Sequence, residues 1–204
     1  SASPICLGED RILDHGLTNV QSVWDHGEST NPITVTSAGL YRVTVTDANN
    51  CVDESSVTLV VNNPPSFSLP SDQSLCLGDD YALSTGVNEL THTHQWSGGS
   101  TSTMADILVT SSGDYRVDVT EIATNCTTSD RIKFTFLDVP SVDLGVDTNL
   151  CAGEDLSLSS PTTDISYDFK WSTGSESQSI KADTSGKYWL EAGNGLCIYR
   201  DYIE

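Results

Sequence analysis

Apolar residues in this chain recur at every second position over short stretches, and helical spacing is hard to find. Ile33-Thr34-Val35-Thr36 alternates cleanly, and in 41–46 Tyr41, Val43 and Val45 share one face. A further run covers 57–61. Similar runs follow at 81–84, 93–96, 107–110, 115–120 and 131–137, then at 156–158, 167–171, 179–182 and 188–191. Clusters of Gly, Asn, Asp and Ser separate them. Short alternating runs rich in Val, Thr, Ile and Tyr, punctuated this way, predict antiparallel strands joined by turns.

The pattern is written three times. Ser37-Ala38-Gly39-Leu40-Tyr41-Arg42-Val43, Ser112-Gly113-Asp114-Tyr115-Arg116-Val117 and Ser185-Gly186-Lys187-Tyr188-Trp189-Leu190 are one phrase, a glycine turn followed by a tyrosine that opens a strand. Before each stands a tryptophan followed by a glycine: Trp24 and Gly27, Trp96 and Gly99, Trp171 and Gly174. A cysteine follows each phrase (Cys51, Cys126, Cys197), and another precedes each tryptophan in Cys6-Leu7-Gly8-Glu9, Cys76-Leu77-Gly78-Asp79 and Cys151-Ala152-Gly153-Glu154. The phrase glycine recurs at intervals of 74 and 73 residues and the tryptophan at 72 and 75. Six landmarks in fixed order identify a tandem array.

Proline-bearing links, Asn62-Asn63-Pro64-Pro65 and Asp138-Val139-Pro140, divide it into units 1–63, 64–139 and 140–204. Six or seven short strands per unit predict a small sandwich. The fold class expected is all-β, with three tandem immunoglobulin-like β-sandwich domains. The links are short, so a semi-rigid, extended array is expected. Trp24, Trp96 and Trp171 belong in the cores with Tyr41, Tyr115 and Tyr188, whose hydroxyls are expected to bond back to the backbone.

Composition narrows the partners. Acidic residues number 29 against 9 basic, a net charge of −20. That field repels phosphate backbones and anionic lipid, which argues against nucleic acid and membrane-surface partners. No apolar run approaches the ~20 residues of a spanning helix, so direct membrane insertion is not expected. Ser1-Ala2-Ser3-Pro4 lacks the basic and apolar regions of a signal peptide. A segment of a longer secreted chain is expected, its third unit stopping just inside or just after its last strand.

The phrase Cys-x-Gly-[Asp/Glu], Trp-x-x-Gly, Ser-x-Gly-x-Tyr or Ser-Gly-x-Tyr, then Cys resembles the immunoglobulin-like and PKD-like repeats of Bacteroidetes surface proteins. These occur in gliding-motility adhesins and other type IX-secreted proteins. The resemblance covers nearly all of the chain, and Val142-Asp143-Leu144-Gly145-Val146-Asp147 is similar to that family as well. It implies secretion, an adhesive or spacer role, and no catalysis. The third unit departs from the pattern, with Trp189 and Leu190 in place of Arg-Val, and Glu191-Ala192-Gly193 at the strand exit.

Six cysteines, two per unit, suit domains of roughly 70 residues, which bury only ~60% of their unfolded surface. The repeat favours Cys6–Cys51, Cys76–Cys126 and Cys151–Cys197, closing spans of 45, 50 and 46 residues. Each closure would be worth roughly 4 kcal/mol by chain entropy. A rival pairs Cys51 with Cys76 and Cys126 with Cys151 across the links. The geometry resists the first scheme, because in the usual immunoglobulin order the two cysteine turns of a unit lie at opposite ends. With no close Cys-x-x-Cys pair, zinc is a poor alternative.

Other candidates are weaker. His92 and His94 share a strand face, as a metal pair would, but the same parity carries Trp96, and the third unit has Tyr167 and Phe169 there; a substitute for an aromatic is the simpler reading. His15 and His26 fall in turns. Asp79, Asp80, Asp143, Asp147, Glu154 and Asp155, with Glu9, Asp10 and Asp72, gather beside the leading cysteines and the links. Calcium there is the only cofactor considered, although no EF-hand spacing is present. Trp189 is expected to point outward, as a ring for a sugar, a partner or a neighbouring domain. No Gly-x-Ser-x-Gly elbow, carboxylate pair or phosphate-cradling loop stands out.

The expected function is therefore non-catalytic: a stalk, spacer or adhesive segment of an extracellular, cell-surface adhesin. Its partners would be neighbouring repeats and a surface polysaccharide or another surface protein. The alternative is a carbohydrate-binding accessory array of a secreted polysaccharide-degrading enzyme.

Overall fold

The computed structural model describes residues 2–138, 140–151, 153–160 and 166–204. Ser1, Val139 of the second link and Ala152 of the third leading-cysteine phrase lie outside the described residues. Among the described residues every regular element is a β-strand, and no helix is long and apolar enough to cross a membrane. Two compact units can be distinguished. The first comprises Ser1–Leu69, Ser84–Asp106 and Arg116–Asp130, and the second Pro70–Leu83, Ile107–Tyr115 and Arg131–Glu204.

The first copy of the motif forms β1 (Ile5–Cys6), β2 (Arg11–Leu13), β3 (Gln21–Trp24), β4 (Ile33–Val35), β5 (Gly39–Thr46), β6 (Val52–Leu59) and β7 (Val61–Asn62). Strands β2 and β4 pair antiparallel, with Leu13 opposite Ile33. A second sheet runs β3-β5-β6, and β1 lies parallel to β7, with Ile5 opposite Val61 and Cys6 opposite Asn62. Leu13, Ile33 and Val35 from the first sheet meet Trp24, Tyr41, Val43, Val45 and Leu59 from the second in one core. Two sheets share one interior, which makes a sandwich.

The second copy repeats the order as β8 (Gln73–Cys76), β9 (Tyr81–Ser84), β10 (His92–Gly98), β11 (Asp106–Val109), β12 (Gly113–Glu121) and β13 (Thr127–Leu137). β9 pairs with β11, and the other sheet reads β10-β12-β13-β8. Here too the leading strand is parallel to the last, with Cys76 opposite Leu137. Tyr115 meets Phe134 edge-on, ring centroids 5.5 Å apart.

The third copy gives β14 (Leu156–Ser159), β15 (Asp168–Trp171), β16 (Ser179–Ala182), β17 (Tyr188–Gly193) and β18 (Ile198–Ile203). Its sheets are β14-β16 and β15-β17-β18, packed around Leu158, Trp171, Ala182, Leu190, Ala192 and Ile203. This strand order, with its buried tryptophan and strand-opening tyrosine, is immunoglobulin-like. The chain is an all-β tandem of immunoglobulin-like β-sandwiches.

The tyrosine device is present in all three copies. Tyr41 donates to the Ser37 carbonyl at 2.8 Å, Tyr115 to that of Ser111 at 3.0 Å, and Tyr188 to that of Thr184 at 3.0 Å. Tyr41 and Tyr115 are buried and Tyr188 is half-buried. Trp24, Trp96 and Trp171 are buried, and their indole N–H groups find Thr30, Met104 and Ser177 carbonyls at 3.1, 2.8 and 2.7 Å. In the first and third copies the tryptophan turn closes within four residues, Trp24 N–H to Glu28 and Trp171 N–H to Ser175. The second is longer, Trp96 N–H reaching Ser102, and its positive-φ glycine is Gly98 rather than Gly99.

Alternation marks the strands long enough to repeat it and does not reach the shortest ones or an arm with no buried side chain. β1, β2, β3 and β8 are short, and the first half of β6 is Val52, Asp53, Glu54, Ser55 and Ser56, all exposed. That half is held by its register against β5, from Thr46 opposite Val52 onward. A strand on a sheet's edge needs backbone partners more than apolar side chains. In the third copy β18 is fully paired with β17, Tyr188 opposite Ile203.

Tyr115→Phe keeps the buried ring and removes its hydroxyl, with its bond to the Ser111 carbonyl and its 3.3 Å contact with the Ser111 hydroxyl. A loss of about 1 kcal/mol is expected from the urea midpoint, with the near-ultraviolet signal of Trp96 unchanged.

Candidate functional site: two cystines between successive copies

Each leading cysteine sits in a turn set by its own phrase. Glu9 N–H donates to the Cys6 carbonyl at 3.0 Å while the Glu9 carboxylate accepts the Cys6 N–H at 2.9 Å. Asp79 does the same for Cys76, at 3.0 and 3.1 Å, and Glu154 for Cys151, at 3.1 and 3.1 Å. Gly8, Gly78 and Gly153 carry φ of 95°, 100° and 91°, the left-handed position such a turn requires. The acidic residue of Cys-x-Gly-[Asp/Glu] is thus a turn cap.

Each trailing cysteine closes the hairpin behind the tyrosine strand. Asp47, Glu121 and Asn194 donate their N–H groups to the carbonyls of Cys51, Cys126 and Cys197 at 3.0, 2.9 and 3.1 Å. Asp47 also accepts the N–H groups of Cys51 and Asn49, at 2.9 and 2.7 Å. Those donors hold its carboxyl below the usual range.

The two kinds of turn lie far apart within a copy. Cys6 is opposite Asn62, eleven residues along the β6–β7 edge from Cys51; at ~3.3 Å per residue that is roughly 35 Å. Cys76 is opposite Leu137, again eleven residues from Cys126. A disulfide needs Cα atoms within ~7 Å. The within-copy pairs Cys6–Cys51 and Cys76–Cys126 are therefore excluded by strand length.

The bonds that form are Cys6–Cys126 and Cys76–Cys197, with Cα separations of 5.6 and 5.5 Å. Each joins the leading cysteine of one copy to the trailing cysteine of the next. Cys51 and Cys151 are exposed thiols. This corrects the expected Cys6–Cys51, Cys76–Cys126 and Cys151–Cys197 pairing. The rival Cys51–Cys76 and Cys126–Cys151 scheme is corrected too, since Cys76 and Cys126 are engaged elsewhere. Within the second copy, the Thr128 hydroxyl donates to the Pro65 carbonyl at 2.6 Å, and Leu69 N–H to Asp130 at 2.7 Å. Around the second bond, the Asn194 amide donates to the Asp138 carbonyl at 3.4 Å.

The calcium candidates are not brought together. Asp79 and Glu154 cap their turns, Asp143 accepts Gly145 N–H and Asp147 accepts Glu204 N–H, both at 2.9 Å. Asp155 pairs with Lys181, and Asp80 is exposed. Among the described residues no three His, Cys, Asp or Glu side chains converge on a metal position.

Trp189 lies between the inward Tyr188 and Leu190 and is half-buried, with one face of its ring occupied. The Arg200 guanidinium lies 4.3 Å from the ring centroid and is held by Glu191, Nε to Oε2 3.1 Å. Tyr202 is opposite Trp189 on β18, with Lys187 4.2 Å over its ring. In the second copy that outward position is Arg116, bonded to Asp118 and Ser129.

His94 is buried, its Nε2 3.1 Å from the Thr85 hydroxyl, and burial lowers its pKa. His92 lies 2.8 Å from the Thr91 hydroxyl. In the first copy the histidine is on the other strand end, His15 Nε2 2.7 Å from the Ser22 hydroxyl. A Ser–His contact invites a nucleophile reading. However, His15 Nδ1 accepts the Leu17 N–H at 3.1 Å, so in the neutral ring Nε2 carries the proton and donates to Ser22. It is the wrong tautomer for a base. His26 stacks on Tyr41 with centroids 4.7 Å apart.

No family model and no curated protein matches the chain. Among solved structures it is similar to extracellular domains 3–5 of Drosophila OTK, at 13% identity over 98% of this chain and 92% of that one, TM-score 0.42. The titin I-band fragment I67–I69 is similar at 15% identity over 98% and 93%, TM-score 0.42. The insect immune protein hemolin is similar at 14% over 99% and 73%, TM-score 0.43.

Replacing both partners of one bond, C76S/C197S, opens a closure between residues 121 apart, for which chain entropy sets a ceiling of about 5 kcal/mol. A stability loss of about 3–5 kcal/mol is expected in urea. The lowered pKa of His94 makes the unfolded chain bind its proton first. Stability from this group is full above the unfolded value of 6.5 and falls as pH drops below it. The urea midpoint is expected lower at pH 5.5 than at pH 7.5, and His94→Phe, the ring the third copy carries as Phe169, is expected to flatten that slope.

Proposed function

We propose that this chain is a non-catalytic tether, a stalk or spacer segment of an extracellular surface protein, built of modules 1–63, 64–139 and 140–204. The observation that carries this is the pair of cystines linking successive copies. Disulfides of this kind persist in oxidising surroundings, which supports an extracellular setting. The motif's resemblance to Bacteroidetes immunoglobulin-like and PKD-like repeats extends the reading to a type IX-secreted, gliding-motility-associated adhesin. On this reading the far partner is a surface polysaccharide or another surface protein.

The staggered bonds suit a tether because they shorten the path that tension follows. Pulled from its ends, the chain passes from Cys6 to Cys126, back fifty residues to Cys76, and across to Cys197. With both bonds intact, fully drawn-out backbone between the ends is about 60 residues, about 200 Å. Reduced, the whole chain could extend to about 700 Å. A domain that yields under force then surrenders little length.

The alternative, a carbohydrate-binding accessory array, needs bare aromatic rings. Trp189 is the ring it would use, and Arg200 already occupies a face of it. In single-molecule stretching between Ser1 and Glu204, we expect total extension to stop near 200 Å without reductant and to approach 700 Å with it. Full extension without reductant would remove the tether reading. Saturable glycan binding lost in Trp189→Ala would favour the alternative.

A further inference from the structure

The chain carries 29 acidic residues and 9 basic ones, and the basic ones are not scattered. Arg42 in the first copy lies between the buried Tyr41 and Val43, so it stands on the outer face of the β3-β5-β6 sheet. In the second copy Arg116 takes the matching place between Tyr115 and Val117, while Arg131 and Lys133 flank the buried Ile132 on β13. In the third, Lys170 stands beside the buried Trp171, and Arg200 is opposite Glu191. Lys187 joins them, placed over the ring of Tyr202. Of the nine, only Arg11 on β2 and Lys181 on β16 belong to the other sheet of a sandwich.

The third copy gathers the pattern on one sheet. Across β15-β17-β18 the register sets Lys170 opposite Glu191 and Glu191 opposite Arg200, with Trp189 opposite Tyr202. The Arg200 guanidinium rests on Trp189, 4.3 Å from the ring centroid, and its Nε donates to Glu191 at 3.1 Å. That double hold fixes its direction before any partner arrives, which lowers the ordering cost of binding. Lys170 and Lys187 are exposed and in no ion pair among the described residues. Three cations thus share this face with two carboxylates, Asp168 and Glu191, in a chain whose net charge is −20. Exposed charges more than ~8 Å away are largely screened at physiological salt, so a ligand here meets the local balance.

We propose that the outer face of β15-β17-β18 binds an acidic polysaccharide, whose carboxylate or sulfate groups pair with Lys170, Lys187 and Arg200. This rests on the tether reading's surface-polysaccharide partner and gives it a chemical class. A sheet face is open along its length, so an extended glycan lies on it without needing a cavity. The cores of protein–protein interfaces are depleted in lysine, and two of the three cations here are lysines, which favours a glycan over a protein. Nucleic acid is the poorer match. Duplex DNA packs one charge into every ~1.7 Å and meets the whole chain's repulsion, whereas a uronate chain carries one charge per sugar.

The test measures binding of the full chain to immobilised polygalacturonate and dextran sulfate, with neutral dextran, polyglutamate and single-stranded DNA as comparison surfaces. Binding to the two acidic glycans is expected, weaker by on the order of tenfold at 200 mM than at 50 mM salt. Lys170→Gln combined with Lys187→Gln is expected to weaken it by on the order of tenfold at the lower salt. Lys181→Glu lowers the net charge by the same amount from the other sheet and is expected to leave binding unchanged. Equal losses in the two variants would overturn the proposal, because bulk charge would then be the cause. Equal binding to dextran, polyglutamate or DNA would overturn it in favour of ring-based sugar recognition, an acidic protein or any polyanion, respectively. Absence of binding to both acidic glycans would overturn it as well, and end-to-end stretching would still report the tether separately. All three substituted lysines are exposed, and near-ultraviolet spectra check that the core around Trp171 is kept.

Discussion

The length of an edge strand decides how this protein is held together. In the first two copies the leading cysteine ends a strand that runs parallel to the last strand, and the trailing cysteine begins the hairpin arm that feeds that last strand. Eleven residues of extended chain separate the two levels, and no side-chain flexibility closes a gap of roughly 35 Å. A bond inside either of these copies is thus impossible, and Cys6 and Cys76 instead meet the trailing cysteine of the next copy. The sandwich topology therefore converts a cysteine count of two per repeat into a chain of links between repeats.

That conversion changes what the cystines stabilise. A sandwich of roughly 70 residues has a small interior, in the first copy one tryptophan, one tyrosine and a handful of aliphatic side chains. A bond within it would help only that copy. A bond to the next one closes a loop between residues 120 or 121 apart, so the loss of packing in one copy is resisted by the fold of its neighbour. The acidic residues beside the leading cysteines belong to the same design. Glu9, Asp79 and Glu154 fix the backbone that presents the thiol, and charge that reads as a cation site in sequence is spent on N–H groups.

Much of the fold was legible because the signals are local. Alternation marked β5, β12 and β17, and the recurrence of tyrosine rather than phenylalanine at 41, 115 and 188 foretold a hydroxyl bond, found in every copy. The outward direction of Trp189 followed from parity alone. Its cover did not, because Arg200 arrives from the opposite strand and nothing in the spacing of 188–191 announces it. The cystine pairing was hidden for the same reason. Spacing ranks pairs by proximity along the chain, whereas the sheet register sets proximity in space. The opposite-ends geometry of the sandwich was already a signal against the within-copy scheme, and it outweighed the symmetry of the repeat.

Taken together, the strand order, the capped turns and the staggered bonds describe a chain in which successive copies of one motif are linked by sulfur as well as by backbone. Proteolysis of the unreduced monomer, followed by mass spectrometry of the linked peptides, tests that most directly. The expected products join the Cys6 peptide to the Cys126 peptide and the Cys76 peptide to the Cys197 peptide, with Cys51 and Cys151 recovered as thiols. Peptides joining Cys6 to Cys51 or Cys76 to Cys126 would contradict it.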